Sequence, residues 1–407
     1  MPELKRDLGP FEHLLWLTDQ WTPRHFAVVA RLRGALDPRA LRAALLRAQR
    51  RHPALRTRID AHAGSCPRFV AGDSAEVPLR VRDRVTGDGW RHELVSELRT
   101  PFDPQTSPLV RVVLVQGPSV SELILLVHHS VGDALAVVFL IRDLLEDLGG
   151  APTPRPLPPR PPMEELLGLP RRCVPSPSGD GESRRPAGTA AVFEAWESEP
   201  GWSEQLVDRC RREGTTVHGA LTAAFTLTLA EHGCLPSDGI VRCLSPVSVR
   251  PLCPPVGTDF GLYLSSAKTC HRPTTATDLW EIARTARGQI AAGLDRGRLS
   301  ARVAGQQALL ATRPTPDEAF AAYRSTVDHQ AVISDIGRVP GPRRQGALRL
   351  DALWVVPNVE EEPVVGVATV EGRMCISLLG GHAVPGLVEH ALGRLSDFAV
   401  ISGADRR

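Results

Sequence analysis

The stretch from Glu122 to Leu148 constrains the fold of this chain more than any other segment. ELILLVHH (Glu122 to His129) is an apolar run long enough to form a strand inside a sheet. Ser130-Val131-Gly132-Asp133 follows as a tight turn. ALAVVFLIRDLLEDL then carries Arg142, Asp143, Glu146 and Asp147 on one side of an otherwise apolar helix. A buried strand that feeds directly into an amphipathic helix is the building unit of an α/β or α+β protein with large sheets.

The same alternation recurs along the chain. FAVVARLRG (Phe26 to Gly34) reads as a strand, and Asp37-Pro38 as the N-cap and first-turn proline of the helix RALRAALLRAQRRH, which Pro53 ends. ALRTRI (Ala54 to Ile59) reads as extended and LVRVVLV (Leu109 to Val115) as a strand. Seven prolines between Gly150 and Pro162 favour a polyproline II path of about 40 Å, at roughly 3 Å per residue. A Ser/Pro/Gly-rich stretch from Pro170 to Gly188 reads as a surface loop. Beyond it, AVFEAW and residues 240–246, 331–336, 348–356, 364–370 and 373–379 read as strands. Residues 203–213, 216–233, 278–293 and 385–395 read as helices. The 407 residues exceed what one core usually accommodates. We therefore expect an N-terminal lobe over 1–165, a linker over 166–188 and a C-terminal lobe over 189–407.

Composition narrows the function classes. The net charge is +2, and nearly all the positive charge is arginine, with Lys5 and Lys268 the only lysines. The basic stretch Arg47 to Arg58 overlaps apolar residues at helical spacing, which reads as a solvated helix face rather than a nucleic-acid patch. The start MPELKRDLGPFEH lacks the order of a signal peptide, and no apolar run approaches bilayer length, so a cytoplasmic protein with no membrane association is expected. Eight cysteines without any CxxC pair argue against a zinc site or a disulfide framework and read mostly as small core residues. With no HExxH, P-loop or GxGxxG in context, metal, nucleotide and dinucleotide chemistry find no support.

His128 and His129 end the apolar strand, and consecutive strand residues point to opposite faces, so only one of them can line a given cavity. Gly132 offers backbone freedom for the turn. From the residues alone two readings stand. Either both histidines close a core strand while Asp133 merely caps the next helix, or one of them lines a site at the end of a strand.

HHSVGDA resembles the HHxxxDG motif of nonribosomal peptide synthetase condensation domains and polyketide-associated acyltransferases, relatives of chloramphenicol acetyltransferase. Both histidines and the aspartate match, with Ala134 in place of the usual glycine. RHPALRTRI (Arg51 to Ile59) and PFDPQTSPLVRVVLV (Pro101 to Val115) are similar to family segments. So are TVHGALTAAFTLTLAEHG, SPVSVRPLCPPVG (Ser245 to Gly257) and ISDIGRVP (Ile333 to Pro340), where Asp335 replaces a common asparagine.

The resemblance implies an α/β fold of α+β sandwich type: two chloramphenicol acetyltransferase-like lobes in a V-shaped pseudo-dimer with an interface tunnel. It implies that His129 acts as general base when an alcohol or amine attacks an acyl thioester. Coenzyme A or a separate phosphopantetheinyl carrier protein would present the donor, and no cofactor would be bound. His128, Gly132 and Asp133 would support the site, with Asp133 paired to Arg56 and Arg51 in the same segment. An oxyanion donor is expected near the Gly132 amide. Arg250, Ser334 and Asp335 are candidate substrate contacts, though for Arg250 a surface ion pair is the stronger reading. A monomer acting in natural-product biosynthesis is expected. The rivals are a condensation catalyst joining two carrier-bound chains and a non-catalytic carrier-docking module.

Two further motifs carry little. LGGHA (Leu379 to Ala383) resembles a carrier-protein motif but has Ala383 where the modified serine would stand. Asp259-Phe260-Gly261 lacks the other kinase motifs and reads as a structural turn.

Overall fold

The computed structural model describes residues 3–396 apart from 63, 73–74, 86, 153–154, 176–191, 275, 342–347, 359–362 and 381–383. The last part of LGGHA, and most of the expected surface loop, lie outside the described residues.

The apolar runs assemble into two large sheets. One comprises β2 (His25–Arg33), β5 (Leu79–Asp83), β6 (Val110–Gln116), β7 (Val120–His128) and β12 (Arg349–Pro357), in the order β12-β2-β7-β6-β5. The other comprises β8 (Val192–Glu197), β9 (Val241–Ser248), β10 (Leu264–His271), β11 (Ala331–Arg338), β13 (Val364–Val370) and β14 (Arg373–Gly380), in the order β10-β9-β11-β13-β14-β8. Short β1 (Arg6–Asp7), β3 (Thr57–Asp60) and β4 (Arg68–Ala71) form a third. β7 lies centrally between β2 and β6, which is why ELILLVH is apolar on both faces; Leu123 to Val127 are all buried.

Helix ends follow the sequence signals. Asp37 accepts the Arg39 N–H at the start of Pro38–Arg51, Asp133 accepts the Ala136 N–H at the start of Ala134–Leu148, and Thr216 accepts the Gly219 N–H at the start of Val217–Glu231.

Three expectations need correction. The segment Ala54 to Ile59 is not extended throughout: Pro53–Arg56 forms a 3₁₀ turn, because Pro53 supplies a helical first-position φ, and β3 begins only at Thr57. Not all of the second half stays with its own lobe. β12 pairs antiparallel with β2 in the first sheet, and Ser377 Oγ on β14 donates to the Val355 carbonyl of β12 at 2.6 Å. This strand ties the two sheets together. Finally, the cysteines are not all separate core residues. Cys66 and Cys173 are joined in a disulfide, with Cα atoms 6.0 Å apart, while Cys210, Cys243, Cys253 and Cys375 are buried thiols.

The proline-rich segment runs from the end of the Ala134–Leu148 helix back along the first lobe. The Leu157 N–H donates to the Arg51 carbonyl, and Glu164 Oε1 accepts the Phe11 N–H. The helix Pro10–Asp19 that receives this contact, and the helices Arg296–Ala311 and Pro316–Val327, were not foreseen from the sequence.

Candidate active site

A cavity of about 640 Å³ lies where the two halves of the chain meet. Its wall is mostly apolar, with Phe11 and Leu15 from the first helix facing Leu299, Val303 and Phe320 from the unforeseen second-half helices. His129, Ser334 and Asp335 are in the wall as well; Arg250 and Arg56 are not.

The end of β7 sorts the two histidines. His128 is fully buried, with Nδ1 2.7 Å from Ser130 Oγ and Nε2 3.3 Å from Asp19 Oδ2, and its backbone sits opposite His25 of β2. Asp19 is itself fixed by the Arg24 N–H at 2.6 Å. His129 follows at the strand end, where its N–H donates to the Arg24 carbonyl and its ring packs 4.8 Å from the Phe26 ring. Nδ1 of His129 lies 3.0 Å from the Gly132 carbonyl oxygen. A carbonyl can only accept, so this contact puts the neutral imidazole's proton on Nδ1 and leaves the Nε2 lone pair as an acceptor. Burial pushes the imidazole below its ordinary value, so the neutral base is the resting form near pH 7.

Asp133 does not reach Arg56. Its Oδ1 accepts from the Ala136 N–H at 2.8 Å and from Arg250 Nη2 at 3.2 Å, and its Oδ2 accepts the Tyr263 N–H at 2.8 Å. The expected partner therefore comes from the second half of the chain. Arg250 is buried and neither a surface pair nor a wall residue. Its Nη1 donates to the carbonyls of Gly257 and Asp259, and Nη2 also reaches the Gly261 carbonyl. Arg56 stays in the first half, at the turn before β3, where Glu3 is its nearby charge. The reason is positional: the 3₁₀ turn carries Arg56 toward β4, and Gly72 donates to its carbonyl.

Gly132 also plays a different part from the expected one. Its φ is not positive, so backbone freedom is not what the turn uses. A Cβ there would lie 2.9 Å from the Phe260 ring, so the glycine permits close approach of the Asp259-Phe260-Gly261 turn. The Phe260 N–H donates to His52 Nδ1, and His52 Nε2 is 3.2 Å from Asp143; Arg51 bonds Asp143 at 3.0 Å. The motif loop is thus held against the second half by Asp133 and Gly132 together, and Arg51-His52 brace it from behind.

His218 is a wall residue that sequence reasoning missed. Its position in the first turn after the Thr216 cap was the available signal.

Two family models match the chain: "Condensation domain" over residues 17–153 and "Phthiocerol/phthiodiolone dimycocerosyl transferase C-terminus" over residues 187–379. A segment of 138 residues is 37% identical to the cyclosporin synthetase of Tolypocladium inflatum, covering 32% of this chain and 1% of that protein. The chain thus spans a very small part of the curated relative it matches. Polyketide synthase associated protein 5 from Mycobacterium tuberculosis superposes with a TM-score of 0.68 at 20% identity, covering 98% of this chain and all of that one. The first condensation domain of the CDA synthetase superposes at 0.65 with 13% identity, covering 98% of both chains. These two likenesses show the shared two-lobed architecture.

Proposed function

Since the chain belongs to the superfamily of condensation domains and polyketide-associated acyltransferases, we propose that it is an acyltransferase whose general base is His129. It moves an acyl group from a coenzyme A or carrier-protein thioester to a hydroxyl or amine. The observation that carries this reading is the Nδ1 contact of His129 with the Gly132 carbonyl, which leaves Nε2 as a base in the wall of an apolar cavity.

In the reaction, Nε2 takes the proton from the acceptor O–H or N–H as the acceptor atom bonds to the thioester carbonyl carbon. The tetrahedral oxyanion collapses, the C–S bond breaks, and the leaving thiolate takes the proton back from the imidazolium. General-base assistance of this kind contributes about 10²- to 10⁴-fold. The Gly132 amide is the candidate oxyanion donor, and a suitable donor adds about 10²- to 10³-fold. No covalent acyl-enzyme is needed. The side chains of His128 and Asp133 hold the motif loop and do not touch the reacting atoms, Gly132 meets them only through its amide, and Ser334 and Asp335 are substrate contacts. The protein works as a soluble cytoplasmic monomer in natural-product assembly or tailoring.

A condensation reaction joining two carrier-bound chains is the second reading, favoured by the match of residues 17–153 to condensation domains. Incubation with an acyl-coenzyme A, or with the same acyl group on a carrier protein, plus paired alcohol and amine acceptors tests both. Mass analysis showing an ester or amide from a free acceptor supports the first reading. Product formed only when both partners are carrier-bound supports the second. Carrier binding without any turnover would refute both.

A further inference from the structure

A second polar group faces the cavity from the other half of the chain. His218 stands in the first turn of the helix Val217–Glu231, and its Nε2 is 2.7 Å from Ser245 Oγ. Ser245 is fully buried on β9 between Leu244 and Pro246, which line the cavity. Strand alternation turns its hydroxyl away from the cavity and toward the helix, so it anchors the imidazole from behind. The other ring nitrogen, Nδ1, lies 3.9 Å from Asp335 Oδ2. Asp335 Oδ1 accepts the Gly337 N–H at 2.8 Å.

The 3.9 Å separation is too long for a direct hydrogen bond. In the tautomer in which His218 Nε2 donates to Ser245 Oγ, the Asp335 carboxylate oxygen and the Nδ1 lone pair are two acceptors side by side in the wall. Burial pushes the His218 imidazole down, which keeps it neutral, and burial pushes the Asp335 carboxyl up. A cation arriving there would favour the carboxylate again. Asp133, the other carboxylate in the wall, is already bonded to Arg250, Ala136 and Tyr263. A hydroxyl brings one donor hydrogen and can satisfy one acceptor. An ammonium brings three and a positive charge, and can satisfy both.

We propose that Asp335 and His218 form the acceptor subsite and that it takes a protonated primary amine, so the acceptor is an amino-bearing molecule held by that amine while its nucleophilic group meets His129. The proposal rests on the acyl-transfer reading for the word acceptor. The ammonium site itself does not, and binding can be measured without turnover.

The test is calorimetric titration of the whole protein near pH 7.5 with n-hexylammonium and with its neutral isostere 1-hexanol. Wild type should bind the ammonium at least about tenfold more tightly than the alcohol. Asp335→Asn, nearly isosteric, should lower ammonium affinity to the alcohol level with the thermal transition retained. His218→Gln, which alters one acceptor, should weaken the ammonium by a smaller factor. Equal affinity of wild type for the two probes, or ammonium binding untouched by Asp335→Asn, overturns the proposal. If the ammonium site behaves as described and wild type transfers no acyl group from any thioester, the acyl-transfer reading falls and the site stands.

Discussion

Arg250 and Asp133, 117 residues apart in sequence, meet at 3.2 Å with both side chains buried, so the HHSVGDA loop of the first half is fastened by a cation of the second. Removing one member of a buried pair leaves an uncompensated charge and costs about 3–5 kcal/mol. Arg250→Ala should therefore lower the denaturation midpoint clearly. Asp133→Ala should do the same, and the double variant should lose much less than the sum of the two. Additive losses in urea melts would show that the pair is not coupled. Activity lost in these variants reports the loop's position, not a chemical role.

Gly132→Ala places a methyl group against the Phe260 ring, 2.9 Å away. Overpacking of this kind costs about 1–3 kcal/mol. Phe260→Leu in the same chain should restore part of the loss. A Gly132→Ala protein as stable as wild type would remove the close-approach explanation.

Burial depresses five histidines, His13 to about 4, His25 to about 3 and His271 to about 4, with His129 and His218 lowered as well. Below about pH 6.5 the unfolded chain binds protons there that the folded chain does not, so stability falls as pH falls, by up to about 1.4 kcal/mol per pH unit for each group. Glu164 works the other way. Burial, and then Glu12, raise it from 4.5 to about 7, so its contribution is present below 4.5 and is lost as pH rises toward 7. Below about pH 6.5 the five depressed histidines outnumber the raised carboxyls Glu164, Glu194 and Asp335. The urea midpoint should decline steadily from pH 7 to pH 5, and Glu164→Gln should steepen that decline; a flat profile would contradict the burial of these histidines.

The acid limb of kcat/KM should lie below pH 6.5, because burial keeps the His129 imidazole neutral. Rates should be level through neutrality. A limb at or above pH 7 would mean that another group controls the reaction.

What could be read from the sequence divides by range. β7, its turn and the Ala134–Leu148 helix were legible because apolar runs, Asp133 as cap and strand alternation are local signals. The family and its two-lobed fold were legible from collinear motifs. Partners across the lobes were not. Nothing near Asp133 in sequence indicates Arg250 rather than Arg56, and nothing near Gly132 indicates Phe260. The assignment of β12 to the first sheet and the Cys66–Cys173 bridge are equally long-range. The helix Pro316–Val327 did have a local mark, Thr315-Pro316 with Glu318 reaching back to the Thr315 N–H, and was overlooked because its apolar face is narrow. His218 and Asp335, 117 residues apart, meet only in the folded wall.

In the proposed reaction His129 Nε2 takes the acceptor's proton. The direct measurement is thiol release from S-octanoyl-N-acetylcysteamine, with amine and alcohol acceptors, by wild type and His129→Ala, alongside their thermal transitions. His129→Ala should lose at least about 10²-fold with the transition retained. A folded His129→Ala protein that transfers the acyl group within a few-fold of the wild-type rate would contradict it.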